Sequence, residues 1–536
     1  MRSWSAALLF RRISDKIRSW FSNRNIARTA RAVARRARPD LQSAPVIFFN
    51  ASARLGYLSQ NAGFSLLAAW GLRLAGVRIV HFVCHSGMSR CVLGTNPDNA
   101  SQPPPCAACI AQSQRLYADA DVRWFRYRED EGLTAKLVDL GIADLEKFSY
   151  AGWPLGELVL PGLRWALRRH HLVDDEATRF LCRQYILSAY SLGREFDQLL
   201  DELKPQAAVL FNGIMYPEAM ARWLAKKRGI RAITHEVGLL PFTAFFTEGQ
   251  ATAYPMDIPA DFQLTAEQDR QLDEYLSQRL QGKFSMAGIQ FWPHMQQLSE
   301  SLQAKAAQFK KVVPIFTNVI FDTSQVHANS LFPHMFAWLD EILGLIKMRP
   351  DTLFVIRAHP DEMRPGTRKQ SRENVRQWVQ ANGVAKLANV VFVDSGEYLS
   401  SYTLIQRAHF VMVYNSSIGL EASIMGKPVL CAGAARYTQF PTVFYPESAR
   451  DYLAQVETFL AAPKVEHPAS FAAEARRVLY FQLFRTALPF GEFLASHSRM
   501  GYVHLKPFPS EALLRENSPA IRVIYAGVVN DKPFLV

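Results

Sequence analysis

Two short polar clusters follow apolar stretches in the second half of the chain, and their residue types suit phosphate chemistry. Residues 351–356 are typical of a buried strand, and Arg357 and His359 come directly after it, before Pro360. Arginine suits two-pronged phosphate binding, and histidine can donate to a phosphoryl oxygen or protonate a leaving group. The alternative is a turn histidine paired with a neighbouring carboxylate. We expect Arg357 to bind substrate and His359 to act in catalysis.

The second cluster combines an expected strand at residues 409–414 with an expected helix. Asn415, Ser416 and Ser417 are residue types that begin helices, and Glu421 follows one turn later. A helix N-terminus offers free N–H groups and a partial positive charge, which favours phosphate. The cluster predicts a phosphate held by the serines and ribose hydroxyls held by Glu421. An ordinary capped helix with a solvated glutamate is the alternative.

Polar residues also follow two expected strands of the first half. Asn212 and Gly213 come after residues 206–211, while His235 and Glu236 come after residues 230–234. Ligands of open α/β sheets bind at the carboxyl ends of the strands, so both halves predict a site there. A carboxylate in this position could deprotonate an acceptor hydroxyl or attack an anomeric carbon. A structural role for Glu236 is the alternative.

The two motifs RAHPDE and YNSSIGLEASIMGKPV together resemble a known family. They are similar to the C-terminal half of bacterial capsule polysaccharide biosynthesis proteins, which include capsular Kdo transferases. CDP-glycerol glycerophosphotransferases and polysialyltransferases share a related pattern more distantly. The resemblance extends to Asn318 and Asp322 upstream and to the Glu-x-Gly element at Glu236. His235 departs from the family, because capsular Kdo transferases more often carry an acidic residue there.

The resemblance implies an α/β protein of the GT-B class, with two Rossmann-like domains facing a central cleft. Catalytic roles then fall to Glu236, His359 and His235. The residues expected to bind substrate are Arg357, Asn415, Ser416, Ser417, Glu421, Asn318, Asp322, Asn212 and Gly213.

The composition predicts five segments in this 536-residue chain. They are a basic amphipathic arm (1–43), an N-terminal Rossmann-like acceptor domain (44–250), a connector (251–308), a C-terminal nucleotide-sugar-binding domain (309–465), and a final helix and tail that pack back on the first domain (466–536).

The arm holds much of the net charge of +13, mixed with aromatic and aliphatic residues. Such a mixture favours binding to an anionic membrane surface, and a solvated tail is the alternative. No nucleic-acid-binding motif accompanies the charge. The sequence shows neither a signal segment nor a long apolar run, so we expect a cytoplasmic protein, peripheral on the inner face of the cell membrane.

Four of the six cysteines lie close together in sequence, at Cys84, Cys91, Cys106 and Cys109. In a cytoplasmic chain, clustered cysteines point to metal more than to disulfides, and four thiolates form a structural zinc site. Free buried thiols, or less plausibly an iron–sulfur cluster, are the alternatives. The Asp-x-Asp at Asp119 precedes an apolar strand instead of following one, so we expect no catalytic metal.

These features predict a glycosyltransferase that moves a sugar from a nucleotide-sugar donor, CMP- or UDP-linked, to a surface glycan or its lipid-linked precursor. A polyol-phosphate transferase of the CDP-glycerol type is one alternative. A non-catalytic subunit that works with other capsule-assembly proteins is another.

Overall fold

The computed structural model describes residues 6–52, 56–282, 285–286, 289–290, 296–363 and 370–536. Its first part contains α1 (Ala6–Arg36), β1 (Val46–Asn50), β2 (Leu58–Ser59), α2 (Gln60–Leu74), β3 (Ile79–Cys84), α3 (Cys106–Leu116), β4 (Asp121–Phe125), α4 (Glu131–Leu137), α5 (Ile142–Glu146), α6 (Leu155–Leu167), α7 (Glu176–Leu203), β5 (Ala207–Phe211), α8 (Tyr216–Lys227), β6 (Arg231–Val237) and β7 (Thr243–Glu248).

The remaining elements divide into a second α/β part and a C-terminal segment. The second part contains α9 (Ala266–Leu280), β8 (Ser285–Met286), β9 (Ile289–Gln290), α10 (Glu300–Ala306), β10 (Lys311–Phe316), α11 (Gln325–Ala328), α12 (Met335–Lys347), β11 (Thr352–Arg357), α13 (Val375–Ala381), β12 (Val390–Val393), α14 (Ser401–Gln406), β13 (Val411–Val413), α15 (Ile418–Ile424), β14 (Val429–Cys431) and α16 (Ala449–Ala461). The last segment contains α17 (Ala469–Tyr480), β15 (Leu488–Pro489), β16 (Leu494–Ser496), β17 (Tyr502–Leu505) and α18 (Pro519–Asn530).

Each part is built on its own mostly parallel sheet. The first sheet has the strand order β15-β7-β6-β5-β1-β3-β4, and the second has the order β12-β11-β10-β13-β14. If the parallel strands of each sheet are numbered by their order along the chain, they lie across the sheet in the order 3-2-1-4-5. This is the Rossmann arrangement. Apolar side chains cover both faces of each sheet. The two Rossmann-like domains predicted from the sequence are therefore confirmed.

The C-terminal segment returns to the first domain. Strand β15 pairs antiparallel with β7, and helix α18 packs on α2. The sequence predicts one helix across residues 471–488, but α17 ends at Tyr480 and is followed by a π-helical turn over Phe481–Arg485. The apolar residues after that turn instead form the edge strand β15, because β7 offers unpaired backbone groups.

Helix α1 changes the interpretation of the arm. Ile26, Ala30 and Val33 are fully buried in the core of the first domain, and Ser22 accepts a hydrogen bond from the N–H of Leu505 at 2.9 Å. Residues 22–37 thus belong to the first domain and not to a separate arm. In the part of the chain that the structure describes, no helix is long and apolar enough to cross a membrane. Residues 1–5 lie outside the described residues.

The two domains meet along the cleft between their sheets. The side chain of Arg372 contacts Pro97 and Asp98, and the N–H of Arg372 donates to Arg168 at 2.9 Å. On the other side of the cleft, Thr252 bonds His327 at 2.9 Å.

Candidate active site

Both sheets direct the carboxyl ends of their parallel strands toward the cleft. In each sheet the strand order reverses beside the first strand, between β1 and β5 and between β10 and β13. This reversal opens a crevice, which is where ligands bind in open α/β sheets. Several of the polar residues predicted from the sequence lie at or beside these two places, and we call them the acid cluster in the first domain and the donor cluster in the second.

The acid cluster consists of Glu236, Asn212 and Asn61. Glu236 lies near the end of β6, and Asn212 follows the neighbouring strand β5. The side-chain amides of Asn61 and Asn212 each donate to one oxygen of the Glu236 carboxylate at 3.2 Å, and the N–H of Val237 donates at 2.8 Å. Both oxygens are therefore oriented by fixed donors.

Burial raises the pKa of Glu236 above its usual value. The hydrogen bonds from Val237, Asn212 and Asn61 oppose this shift, and the positive charge of Arg436 opposes it further. A buried carboxylate that remains oriented and gains basicity is suited to take a proton from a hydroxyl group.

His235 does not join this cluster. Successive side chains of a strand point to opposite faces, so His235 and Glu236 diverge. The His235 ring is 2% exposed and stacks on Phe246 with 5.2 Å between ring centroids. Burial lowers the pKa of His235 to about 3, so the ring is neutral. The predicted catalytic role is replaced by a packing role, because the strand continues to Val237 instead of ending before His235.

Gly213 positions the loop after β5. Its φ of +78° favours glycine, and its carbonyl accepts a hydrogen bond from Arg222 at 3.0 Å. The residue thus shapes the turn that holds Asn212 next to Glu236.

The donor cluster is centred on a contact across the β10–β13 crevice. Asn318, just after β10, donates from its side-chain amide to the side-chain oxygen of Asn415, just after β13, at 2.6 Å. Gln325 donates to the same oxygen at 3.3 Å. Asp322 supports the loop nearby by accepting from the N–H of Ser324 at 2.9 Å. The three predicted residues Asn318, Asp322 and Asn415 therefore lie together.

Ser416 and Ser417 stand at the beginning of α15. In the described residues, no side chain or carbonyl accepts a hydrogen bond from the backbone N–H of either serine. The carbonyl of Ser416 accepts from the hydroxyl of Tyr437 at 2.7 Å, and that hydroxyl lies only 2.3 Å from where a Cβ on Gly419 would be. Tyr437 and Gly419 thus fix the turn, and the serines offer donors to a ligand.

His359 lies in the loop after β11, which neighbours β10. Its Nδ1 accepts a hydrogen bond from the N–H of Asp361 at 3.1 Å. In a neutral ring this places the proton on Nε2, which makes Nε2 a donor. The loop therefore fixes the orientation of the His359 ring.

Arg357 takes a different position from the one predicted. It is 2% exposed, and its guanidinium donates to the carbonyl of Asp394 at 2.6 Å. Burial lowers the pKa of Arg357 to about 10. Its side chain supports the loop after β12 from inside the domain, because Arg357 is the last residue of β11 and not the first of the loop.

Glu421 also differs from the expectation. One carboxylate oxygen forms an ion pair with Arg279 of α9 at 2.7 Å, and the other accepts from the hydroxyl of Tyr402 at 2.5 Å. Glu421 is 5% exposed. Burial acts to lower the pKa of Arg279, but Glu421, Tyr275 and Tyr402 together outweigh it and the net shift is upward. Glu421 thus fastens α9 to α15, in place of the predicted contact with ribose hydroxyls.

Arg436 connects the two domains beside the acid cluster. It belongs to the loop after β14, yet its guanidinium carbon lies 3.5 Å from the centroid of the Tyr254 ring in the first domain. The Tyr254 hydroxyl donates to the carbonyl of Val237, the residue after Glu236. The side-chain amide of Gln439 donates to the carbonyl of Tyr254 at 3.0 Å. Arg436 therefore brings a positive charge to the point where both domains meet.

The sequence did not identify Asn61, Tyr254, Arg279 or Arg436 as site residues. Asn61 is far from Glu236 in sequence and lies in a helix, so only the fold reveals the contact. Tyr254 has a φ of +48°, which nothing in its neighbours predicts. Arg436 follows an apolar strand, as the predicted site residues do. This position in the sequence could have identified it as a candidate site residue.

The four predicted metal ligands are brought to one place. Cys84, Cys91, Cys106 and Cys109 line a single small cavity and form no disulfides. As they stand, their sulfur atoms do not close on a common point: among the described residues, no three His, Cys, Asp or Glu side chains are arranged to hold a metal ion.

Comparison with protein families supports the resemblance seen in the motifs. The family model described as capsule polysaccharide biosynthesis protein matches residues 269–448, a segment that runs from α9 to the start of α16 and contains the whole donor cluster. The match confirms the resemblance for the second domain. None of the curated proteins matches the chain.

Several solved structures are similar at low identity. A beta Kdo 2,4 transferase, KpsC of Thermosulfurimonas dismutans, has 11% identity over 54% of this chain and 82% of its own, with a TM-score of 0.34. The beta Kdo 2,7 transferase KpsC of the same organism has 14% identity over 60% and 87%, with a TM-score of 0.32. A UDP-GlcNAc 2-epimerase from Neisseria meningitidis has 12% identity over 82% and 99%, with a TM-score of 0.23. TM-scores in this range carry no argument about function.

Proposed function

We propose that the protein is a glycosyltransferase of the GT-B type, acting in the synthesis of capsular or other cell-surface polysaccharide. It moves a sugar from a nucleotide-sugar donor, CMP- or UDP-linked, to a growing glycan or its lipid-linked precursor. The observation that carries the proposal is the contact between the domains beside the acid cluster: Arg436 of the second domain stacks over Tyr254 of the first, and the Tyr254 hydroxyl donates to the carbonyl of Val237, next to Glu236. A transferase needs such an arrangement, because acceptor and donor must react in one enclosed space.

The donor nucleotide binds on the second domain. Its phosphate lies against the backbone N–H groups and the side-chain hydroxyls of Ser416 and Ser417, beside the Asn318–Asn415 contact at the crevice. Backbone donors fixed by Tyr437 need no reorganisation when charge develops on the leaving phosphate. His359 approaches from the adjacent strand β11 and donates from Nε2 to the phosphate oxygen as the glycosidic bond breaks.

The acceptor binds on the first domain. Glu236 takes the proton from the attacking hydroxyl, and the amides of Asn61 and Asn212 hold the carboxylate in one orientation during the transfer. In this proposal His359, Arg436 and the backbone donors neutralise the leaving phosphate, so catalysis does not depend on a divalent metal.

Calorimetry tests the donor site. We expect the double variant Ser416→Ala/Ser417→Ala to bind the donor nucleotide about tenfold more weakly, the effect of losing roughly 1.4 kcal/mol of hydrogen bonding. Ser496→Ala, on the C-terminal hairpin, is the matched control and should leave affinity unchanged. Equal affinity in the double variant and the parent protein would remove the serines from the donor site.

A polyol-phosphate transferase of the CDP-glycerol type would use the same donor cluster, and a capsule-assembly subunit would keep the fold without turnover. Which donor is consumed, if any, decides among the glycosyltransferase, the polyol-phosphate transferase and the non-catalytic subunit.

We also propose that the first half of α1 binds an anionic membrane surface. Ile17, Trp20 and Phe21 are between 52% and 58% exposed, and their spacing places them on one helical face. Arg24 stacks over the Trp20 ring at 5.6 Å, and Lys16, Arg18 and Arg28 add positive charge nearby. Exposed aromatic residues flanked by basic ones are typical of helices that lie in the membrane interface. This location would bring the enzyme to a lipid-linked acceptor.

A further inference from the structure

The cavity lined by Cys84, Cys91, Cys106 and Cys109 lies in the first domain, at the carboxyl ends of β1 and β3, and its lining includes no residue of the acid or donor cluster. Cys84 ends β3, Cys91 lies in the following loop, and the other two belong to the first turn of α3. The four thiols thus come from three separate backbone segments. The remaining cysteines, Cys182 and Cys431, are buried in the cores of the two domains and do not reach the cavity.

Two of the sulfur atoms already accept backbone hydrogen bonds in the same local geometry. The N–H of Gly87 donates to the sulfur of Cys84 at 3.3 Å, and the N–H of Gly94 donates to the sulfur of Cys91 at 3.2 Å. In both cases the donor lies three residues after the cysteine. Such bonds orient a sulfur atom and stabilise negative charge on it, as a thiolate ligand requires.

The loops around these glycines are packed too closely for side chains. A Cβ on Gly94 would lie 2.9 Å from the sulfur of Cys91 and 2.7 Å from Pro104, while a Cβ on Gly87 would lie 2.1 Å from the Phe125 ring. Glycine at both positions lets the chain turn tightly behind each sulfur atom.

The other two thiols are placed by α3. Cys106 and Cys109 are three residues apart in an 11-residue helix, so they share one face of its first turn. The partial positive charge at a helix N-terminus favours thiolate over thiol. The hydroxyl of Ser52 lies 3.5 Å from the sulfur of Cys109 and adds a polar neighbour.

We propose that these four cysteines form a structural Zn²⁺ site, independent of the proposed transferase activity. The cavity volume of about 20 Å³ is room for one particle of the size of a water molecule. Zn–S bonds of about 2.3 Å require the four sulfur atoms to draw together around the ion when it binds. Each thiol gives up its proton to water as its Zn–S bond forms, so one ion displaces four protons.

The site has a structural purpose in this position. It ties the end of β3, the loop to Cys91 and the start of α3 together, and α3 in turn packs on α1. The segment between β3 and α3 has no other regular structure. A four-thiolate site leaves no open coordination position, which distinguishes it from a catalytic zinc.

Elemental analysis of the full-length protein, purified without chelators, tests the proposal. We expect about one zinc ion per chain, and we expect Cys106→Ser/Cys109→Ser to lose it and to unfold at a lower temperature. Cys182→Ala is the matched control, since it removes a buried thiol outside the cavity and should keep the zinc. Donor binding by the double variant should remain close to that of the parent protein.

A second measurement keeps the test decisive if the double variant does not fold. Co²⁺ added to chelator-treated, reduced parent protein should give the intense absorption of tetrahedral thiolate coordination, and Zn²⁺ should abolish it. Parent protein that carries no zinc, gives no such absorption and melts at the same temperature with and without Zn²⁺ would overturn the proposal. Iron with labile sulfide in place of zinc would overturn it as well.

Discussion

The guanidinium of Arg436 stacks over the ring of Tyr254, with 3.5 Å between the guanidinium carbon and the ring centroid. Arg436 belongs to the second domain and Tyr254 to the first, so the contact depends on how the two domains meet. The same charge opposes the rise in the pKa of Glu236 that burial causes, so the contact links the way in which the domains meet to the charge state of the expected base.

Arg436→Gln should therefore change the pH dependence of turnover. Glu236 acts as a carboxylate, so turnover is lost as pH falls through its pKa. Removing a nearby positive charge raises that pKa, so the acidic limb of the pH–rate profile should move to higher pH. Arg436→Lys keeps the charge and should leave the limb in place. If the acidic limb of the pH–rate profile stays in place in Arg436→Gln, the charge of Arg436 does not influence the pKa of Glu236.

His359→Ala should lower turnover about 100-fold or more, the usual effect of losing one acid or oxyanion donor. Nucleotide release under saturating donor measures it directly. The control is His497→Ala on the C-terminal hairpin, which should keep normal turnover. A folded His359→Ala protein that turns over normally would show that the loop after β11 has no catalytic role.

The pair formed by Arg279 and Glu421 should dominate the stability of the contact between α9 and α15. Arg279→Ala leaves a buried carboxylate without its cation, and we expect a loss of about 3–5 kcal/mol in the free energy of unfolding. Arg270→Ala, on the same helix, breaks an exposed pair with Glu267 and should cost less than about 1 kcal/mol. Urea titration followed by tryptophan fluorescence compares the two. If the two variants lose equal amounts of unfolding free energy, Arg279 does not hold Glu421 in a buried pair. Glu421 would then be free to contact ribose, as the sequence predicted.

Membrane binding by α1 should depend on its exposed aromatic face. The full-length variant Ile17→Ser/Trp20→Ser/Phe21→Ser should no longer sediment with anionic vesicles, whereas the parent protein should, and less so as salt rises. Val138→Ser/Met348→Ser removes two equally exposed apolar side chains elsewhere and is the control. If the parent protein ignores anionic vesicles at low salt, the exposed face has another purpose.

The sequence predicted the site's location better than its individual contacts. The structure places Glu236, Asn212, Asn318 and Asn415 at or just after strand ends, as the pattern of apolar strands followed by polar residues predicted, because the parallel strands of an open sheet have their carboxyl ends on one side. Glu421 was misread because its partner Arg279 lies more than a hundred residues away, on a segment expected to be a connector. His235 was misread because β6 extends past it, and a shift of one residue in a strand turns a side chain to the opposite face.

The most direct test of the account is a panel of CMP-, UDP-, GDP- and CDP-linked donors assayed for nucleotide release, with the parent protein and Glu236→Gln. Glu236→Gln keeps the size of the side chain and one oxygen that accepts from Asn61 or Asn212, while removing the base. We predict that the parent protein releases nucleotide from a CMP- or UDP-linked sugar, and that release by Glu236→Gln in the presence of acceptor falls at least about 100-fold. Release from CDP-glycerol alone, or from none of the donors, would contradict the assignment as a glycosyltransferase.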